Sequence, residues 1–173
     1  MQALAFWKAV TVDRSNLLER FVEWLQARHV KFCLVGGQAV NAYVEPVVSL
    51  DLDIVVAADQ LEQVRSTLAE MFTVELFPHS VNVSLPGSDL RIQIQLDPRY
   101  PAFVDRAEAR DVLGLTLPVA NLEDVLRGKV WAVEDTSRRP SKRQKDLADI
   151  SRLLEKYPHL RPSIPTGVLD KLV

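Results

Sequence analysis

Hydrophobic residues at the start of the chain recur with helical spacing and then form a short unbroken run. Between residues 17 and 25 they fall on one face of a helix, with candidate N-caps at residues 13–16, so the pattern predicts an amphipathic helix that ends near His29. The apolar run 31–35 predicts a buried strand, and Gly36-Gly37 directly after it predicts a tight turn. The chain therefore opens with a helix followed by a strand.

The same alternation of patterns continues as far as the middle of the chain. A short helix is predicted over 38–44, because Glu45 precedes a proline and is disfavoured in the helical conformation. Apolar residues at 50–56 predict a second strand, and helical spacing of apolar residues predicts a helix over 59–72. The predicted order is helix, strand, helix, strand, helix.

The second half of the chain predicts a strand-rich segment followed by helices. The predicted ranges are 81–85 and 90–96 for two strands joined by a turn, 100–109 for a helix, and 111–120 for a short β-hairpin or extended pair around Gly114. Amphipathic helices are predicted over 121–133 and 141–156, and a loosely packed tail over 159–173. The fold class is α+β or α/β, a small mixed sheet flanked by helices. We expect one compact unit in which a helical part, 121–173, packs on a core, 1–120.

Composition narrows the class of protein only a little. Of 173 residues, 47% are hydrophobic and 25% are charged, and the formal net charge is −2, which argues against a disordered, collagen-like or strongly basic protein. The single cysteine excludes an internal disulfide and a cysteine-rich zinc site. Apolar runs are too short for a bilayer and the N-terminus lacks a signal-peptide pattern, so we expect a cytoplasmic protein with no membrane partner.

Two aspartates on the second predicted strand are the first candidate for chemistry. Side chains alternate across a strand, so Asp51 and Asp53 share one face, with their Cα atoms roughly 7 Å apart. Two like charges this close favour a cation between them, and carboxylates combined with substrate phosphates suit Mg²⁺. The alternative is that both side chains point into water at the end of an edge strand.

The glycine pair is a second, weaker signal. A strand that ends in Gly36-Gly37 lets the backbone approach a phosphate, and the helix that follows offers its N-terminal N–H groups to the anion. Turn geometry alone is the alternative reason for two glycines there. Taken together, the glycines and the aspartates place an anion-binding turn beside a metal-binding pair at one end of two neighbouring strands.

These residues resemble the signature of a known superfamily. Leu34-Val35-Gly36-Gly37 followed by Ser49-Leu50-Asp51-Leu52-Asp53-Ile54 is similar to the glycine pair and Asp-x-Asp strand of nucleotidyltransferases of the DNA polymerase β type. Further on, 126–130 and 145–150 resemble the lysine and aspartate motifs of the AbiEii/AbiGii toxin-type branch. The resemblance, which covers roughly 31–154, implies metal-dependent transfer of a nucleotide from an NTP to an RNA, such as tRNA, or to a protein, and a possible cognate antitoxin.

The resemblance also implies roles for individual residues. Asp51, Asp53, Lys129 and Asp146 are the expected catalytic residues, and Gly36, Gly37, Ser49 and Lys129 are expected to bind the nucleotide. Asp51, Asp53 and Asp97 are the expected ligands of Mg²⁺ or Mn²⁺.

Helical spacing independently predicts that Lys129 and Asp146 face the core, where each charge needs a partner. The alternatives are that the two residues form a structural salt bridge with each other, or that the lysine extends its ammonium to solvent.

The superfamily usually has a third carboxylate on a neighbouring strand, and the chain departs from that pattern. The polar face of strand 90–96 carries Gln93 and Gln95 where a carboxylate is expected, and Asp97 at its end is the candidate substitute. This departure motivates a second hypothesis, a catalytically degenerate module that binds NTP, RNA or an antitoxin. A third is an ordinary α/β domain that contacts another protein. The basic run 138–145 is a candidate contact for RNA or NTP phosphates, or else a solvated loop.

Overall fold

Seven strands form one mixed sheet in the computed structural model, which describes residue 5 and residues 15–172. The strands are β1 Phe32–Val35, β2 Asp51–Val56, β3 Thr73–Leu76, β4 Ser80–Ser84, β5 Arg91–Gln95, β6 Glu108–Val112 and β7 Leu115–Val119. Their order across the sheet is β3-β4-β5-β2-β1-β7-β6, so the strand that carries the paired aspartates is central.

Helices connect and cover these strands. They are α1 Leu17–Ala27, α2 Gly36–Asn41, α3 Leu61–Thr67, α4 Leu122–Glu134, α5 Pro140–Lys156 and α6 Thr166–Leu169, with 3₁₀ turns at Leu68–Glu70, Pro101–Arg106 and Pro158–Ser163. Asn121 caps α4, its side chain accepting a hydrogen bond from the backbone N–H of Asp124. Within the described part of the chain, none of the helices has the length and apolar character needed to cross a bilayer. The mixed α/β fold class is confirmed.

Strand register determines what surrounds the aspartate pair. β2 runs antiparallel to β1 and parallel to β5, which places Asp53 opposite Val35 on one side and Gln93 on the other. Alternate residues of β2, Leu52 and Ile54, are buried in the hydrophobic core. The carboxylates of β2 therefore project from the opposite face of the sheet, beside the turn where β1 meets α2.

Several predicted elements need correction at their boundaries. The helix predicted over 59–72 is shorter, because α3 tightens into a 3₁₀ turn and the edge strand β3 follows. The helix predicted over 100–109 is a 3₁₀ turn that gives way to β6. The helix predicted over 38–44 begins at Gly36 and ends at Asn41. The candidate caps at residues 13 and 14 lie outside the described residues.

The C-terminal tail is not loosely packed as predicted. Leu160, Ile164 and Val168 are buried in the hydrophobic core. They belong to a 3₁₀ turn, to the extended residue that follows it and to the short helix α6, so each piece of the tail contributes one side chain to the core. The division into a core, 1–120, and a helical part, 121–173, stays a prediction.

Candidate functional site

A cavity of about 520 Å³ lies where β1 ends and β2 begins, between the sheet and helices α4 and α5. The eight residues named from the sequence as site residues all line it: Gly36, Gly37, Ser49, Asp51, Asp53, Asp97, Lys129 and Asp146. The strand carrying the aspartates is central and their carboxylates border this cavity, so the alternative of an edge strand pointing into open water does not hold. Segments distant along the chain thus meet around one space.

Asp53 packs directly against the glycine turn. Gly36 has φ +70°, and a Cβ atom added there would lie 2.3 Å from Asp53 Oδ2, so only glycine fits this position. The other oxygen, Asp53 Oδ1, is buried and has no hydrogen-bond partner among the described residues. Burial raises the pKa of Asp53 to about 6, with Lys129 opposing this shift and Asp51 adding to it. Asp53 is therefore a carboxylate whose charge lacks full compensation from the protein.

Asp51 is more exposed and has a partner of its own. Its Oδ1 lies 3.0 Å from Nε of Arg91, the residue opposite it on β5. The backbone before it is ordered by hydrogen bonds: the Ser49 hydroxyl donates to the Asp51 carbonyl, and Gln38 Nε2 donates to the Ser49 carbonyl. These contacts hold the segment that leads into β2 against α2, so the first aspartate enters the cavity from a fixed direction.

Lys129 of α4 is buried between two carboxylates of α5. Its Nζ lies 3.1 Å from Asp146 Oδ1 and 2.8 Å from Asp149 Oδ2. Burial disfavours the ammonium, but Asp149 and Asp146 outweigh that effect and raise the pKa of Lys129. The salt bridge with Asp146, one of the alternatives considered from sequence, is thus present. A contact of Lys129 with a triphosphate stays a prediction.

Two arginines extend the group formed by Lys129, Asp146 and Asp149 into a row of alternating charges. Arg138, in the loop between α4 and α5, contacts both oxygens of Asp146, with Nη2 lying 3.1 Å from Oδ1. Arg152 lies 2.8 Å from Asp149 Oδ1 through its Nη1. Because each acid is shared by two bases, the row Arg138, Asp146, Lys129, Asp149, Arg152 fixes the two helices against each other.

Arg152 also reaches the loop that precedes β2. Its Nη2 donates to Asn41 Oδ1 at 3.0 Å and to the Glu45 carbonyl at 2.6 Å. Asn41 in turn exchanges hydrogen bonds with the backbone of Val47. The row of charges on the C-terminal helices is therefore connected to the backbone that leads into the aspartate pair.

The sequence predicts no role for Asp149 or Arg152, and none for Arg138 beyond its place in the basic run 138–145. One signal pointed to Asp149, which follows Asp146 by three residues and so shares its helix face. Arg138 appeared only as part of a basic run, and nothing in the spacing of Arg152 distinguishes it from a solvated arginine. Their roles depend on contacts between segments that sequence periodicity does not report.

Asp97 lines the cavity but is engaged elsewhere. Both its oxygens accept hydrogen bonds from the guanidinium of Arg99, the shortest at 2.7 Å from Nη2, and Oδ1 also accepts one from the Arg99 backbone N–H. The residue opposite Asp53 on β5 is Gln93, four positions earlier. Asp97 as a metal ligand stays a prediction, one that requires Arg99 to release it.

The paired aspartates fit a divalent cation. The described residues contain no group of three or more His, Cys, Asp or Glu side chains that could hold a metal ion by itself. Mg²⁺ typically takes one or two carboxylates and completes its shell with substrate phosphates and water. Asp51 with Asp53, whose Oδ1 lacks a partner, provides that smaller donor set beside a glycine turn open to phosphate.

Replacing Gly36 with alanine should disturb both backbone and carboxylate. The left-handed conformation costs a residue with a side chain about 1–2 kcal/mol, and the added methyl group must also displace Asp53. We expect a loss of unfolding free energy of at least that amount, measured by denaturant titration. Gly167→Ala is the matched control, since nothing lies within 4 Å of a Cβ there. Equal stability of the two variants would contradict the packing described for Gly36.

The raised pKa of Asp53 predicts the pH dependence of stability. The unfolded carboxyl ionises near 3.8, whereas the folded one holds its proton up to about 6. Between these values the native state binds more protons, so the unfolding free energy should fall as pH rises from 4 to 6 and level off above, by up to about 3 kcal/mol. Denaturant titrations of wild type and Asp53→Asn across this range measure it. A difference between the two proteins that does not vary with pH would contradict the prediction.

A match to a family model identifies the class of protein, the nucleotidyltransferases, to which this chain belongs. The chain belongs to the family of nucleotidyl transferase AbiEii toxins of type IV toxin–antitoxin systems. The model of this family matches residues 17–168. The superfamily suggested by the glycine pair and the Asp-x-Asp strand, and the AbiEii-type branch suggested by 126–130 and 145–150, are thereby confirmed. A comparison with curated proteins finds no match.

Solved structures share the fold at low sequence identity. ANT(2")-Ia in complex with adenylyl-2"-tobramycin is 15% identical with a TM-score of 0.59, covering 86% of this chain and 94% of that one. The lincosamide antibiotic adenylyltransferase LnuA, lincomycin-bound, is 14% identical with a TM-score of 0.54, covering 83% and 99%. An antigenic nucleotidyltransferase-like protein from Paracoccidioides brasiliensis is 16% identical with a TM-score of 0.53, covering 82% and 75%. At these identities the likeness is one of fold.

Proposed function

We propose that the protein transfers a nucleotide from an NTP to an acceptor, with Mg²⁺ or Mn²⁺ held by Asp51 and Asp53. The observation that carries this proposal is the buried, unpartnered Oδ1 of Asp53 beside the Gly36 turn. A buried carboxylate oxygen without a partner is costly unless a ligand supplies one. A metal bound there would neutralise charge on the phosphates of the NTP.

The chain's own residues account for phosphate binding. Gly37 has only the distant ends of Ser49 and Asp149 near its missing Cβ, at 3.8 and 3.9 Å, so its backbone lies open to the cavity. Backbone N–H groups in such a turn can donate to phosphate oxygens. Lys142 and Lys145 line the same cavity and add positive charge on the side of α5. The phosphates are thereby placed between the turn and that helix.

Lys129 and Asp146 are proposed to complete the part of the cavity in which the reaction takes place. Lys129, held between Asp146 and Asp149, would place a positive charge toward the phosphates while its neighbours fix its position. The acceptor hydroxyl oxygen then forms a bond to the α-phosphorus and its proton passes to solvent. The bond from the α-phosphorus to the oxygen that bridges to the β-phosphorus breaks, and pyrophosphate leaves. The chain contributes by binding and orienting these groups.

The acceptor is proposed to be an RNA, such as tRNA, or a protein, in keeping with a toxin. Membership of a toxin–antitoxin family supports a cognate antitoxin as the partner. The compartment proposed for this activity is the cytoplasm.

A catalytically degenerate module that binds NTP, RNA or an antitoxin is the second candidate function. The observation that favours it is Gln93 opposite Asp53, because an amide cannot supply the charge of a third carboxylate. Incubation of labelled NTP with cellular RNA and lysate protein separates the two. Label that transfers to an acceptor and depends on Asp51 and Asp53 excludes the inert module.

Nucleotide binding is the first test of the proposal. Calorimetry with the magnesium complexes of ATP, CTP, GTP and UTP should show binding of at least one by wild type, and its loss in Asp53→Asn. Asp59→Asn is the matched control, since Asp59 is exposed and lies outside the cavity. Absence of binding for all four nucleotides would overturn the proposal.

A further inference from the structure

An arginine forms a flat surface on the cavity wall away from the glycine turn. The guanidinium carbon of Arg99 lies over the Trp131 ring, 4.3 Å from its centroid, so the indole covers one side of the group. The indole is itself held by Phe103, stacked at 5.4 Å, and by Tyr100, edge-on at 5.2 Å. Because the Arg99 side chain is 53% exposed and lines the cavity, its other face is open to a ligand.

Asp97 fixes the orientation of this surface. The carboxylate takes three hydrogen bonds from the Nε and Nη2 edge of Arg99 and a fourth from its backbone N–H. A guanidinium held by one edge and covered on one face retains little freedom to rotate. The ion pair also cancels the charge of Arg99, so the surface is planar, weakly hydrated and close to neutral as a pair.

The charges around the cavity indicate which part of a nucleotide belongs here. Near Arg99 the acids are Asp97, which pairs with it, and Glu134. On the α5 side Lys142 and Lys145 line the cavity and form no ion pair among the described residues, whereas Asp146 and Asp149 there are paired with bases. A polyanionic triphosphate is attracted by Lys142 and Lys145 on the α5 side and gains no net positive charge at Arg99, whose charge Asp97 cancels. The ligand at Arg99 should therefore be flat and uncharged, as a nucleobase is. Gln95 lines the same cavity and offers an amide with both a donor and an acceptor for a base edge.

We propose that the open face of Arg99 is the stacking platform for the nucleobase of the NTP, and that Asp97 is a positioning residue for this platform. The inference rests on the proposed function, because it assigns the base end of the same nucleotide. Stacking of bases on aromatic and guanidinium planes is a general mode of nucleotide recognition. In this proposal Asp97 orients Arg99 and does not bind the metal.

The experiment compares ligands with and without a base. Calorimetry measures the best-bound magnesium NTP and magnesium tripolyphosphate on wild type and on Arg99→Lys, which keeps the charge and removes the plane. We expect the NTP affinity to fall about tenfold and the tripolyphosphate affinity to stay unchanged. Arg110→Lys is the matched control, since the Arg110 guanidinium lies 4.0 Å over the Tyr43 ring, outside the cavity.

The positioning role of Asp97 is tested in the same assay. Asp97→Asn should weaken NTP binding but not tripolyphosphate binding, and Asp97→Glu should restore part of the NTP affinity. A loss of magnesium tripolyphosphate binding in Asp97→Asn would instead identify Asp97 as a metal ligand and overturn the positioning role. Unchanged tripolyphosphate binding also shows that a variant retains its folded cavity.

The remaining outcomes separate this inference from the proposed function. Binding of neither ligand by wild type defeats the proposed function itself. Wild-type binding of both ligands with no selective loss in Arg99→Lys defeats only the stacking platform. Loss of affinity for an RNA oligonucleotide with unchanged NTP affinity would also overturn it, since the base recognised would then be that of the acceptor.

Discussion

Replacing Asp53 with asparagine should lower the rate of nucleotide transfer by about 10³-fold. The substitution keeps the size of the side chain against Gly36 but removes the charge that is buried beside it. A lost metal-binding carboxylate removes several kcal/mol of stabilisation from a transition state that carries phosphate charge, and about 4 kcal/mol corresponds to that factor. Single-turnover transfer of labelled nucleotide to the acceptor measures the effect.

The control for this prediction is an exposed aspartate that lies outside the cavity. Asp59→Asn removes one exposed carboxylate just beyond β2 and should leave the rate within twofold of wild type, as surface substitutions generally do. Transfer by Asp53→Asn at the rate of Asp59→Asn would show that the buried carboxylate is not part of the reaction.

Replacing Lys129 with methionine should lower the unfolding free energy by about 3–5 kcal/mol. The lysine lies between Asp146 and Asp149, and its removal leaves two buried carboxylates each with only one base, Arg138 and Arg152 respectively. Breaking a buried ion pair by deleting one partner costs about this much, because the remaining charge stays desolvated. Denaturant titration at neutral pH measures the change.

Lys145→Met is the matched control for Lys129→Met. Lys145 also lines the cavity, but it is exposed and forms no ion pair among the described residues, so we expect a change within about 0.5 kcal/mol. Similar destabilisation by both substitutions would contradict a special structural role for Lys129. A stable Lys129→Met protein that had lost only nucleotide binding would assign the lysine to the ligand alone.

Periodicity identified the elements that position the site. The run 31–35 and the alternation in 50–56 correspond to β1 and β2, and the apolar stripes after Asn121 and Ser141 correspond to α4 and α5. These segments are predictable because each buries one regular face. β3 was missed because an edge strand with exposed side chains has no apolar face to repeat.

The sequence predicted only those site residues that belong to a recognisable local pattern. Gly36 and Asp53 were found because a turn and an alternating strand each carry a recognisable pattern. The contact between them, in which the carboxylate occupies the space of the absent Cβ, needed the antiparallel register of β1 and β2. Asp149 and Arg152 were missed because their partners come from α4 and from the loop before β2.

The residues that line the cavity are far apart in the sequence, so the cavity can form only late in synthesis of the chain. Asp53 lies in the first half of the chain, while Lys129, Asp146 and Arg152 belong to the last helices. A ribosome synthesising this chain releases the aspartates long before the residues that face them. A growing or prematurely terminated polypeptide that stops before α5 therefore lacks the residues that face Asp53, and the proposed nucleotide transfer would require translation to pass that helix.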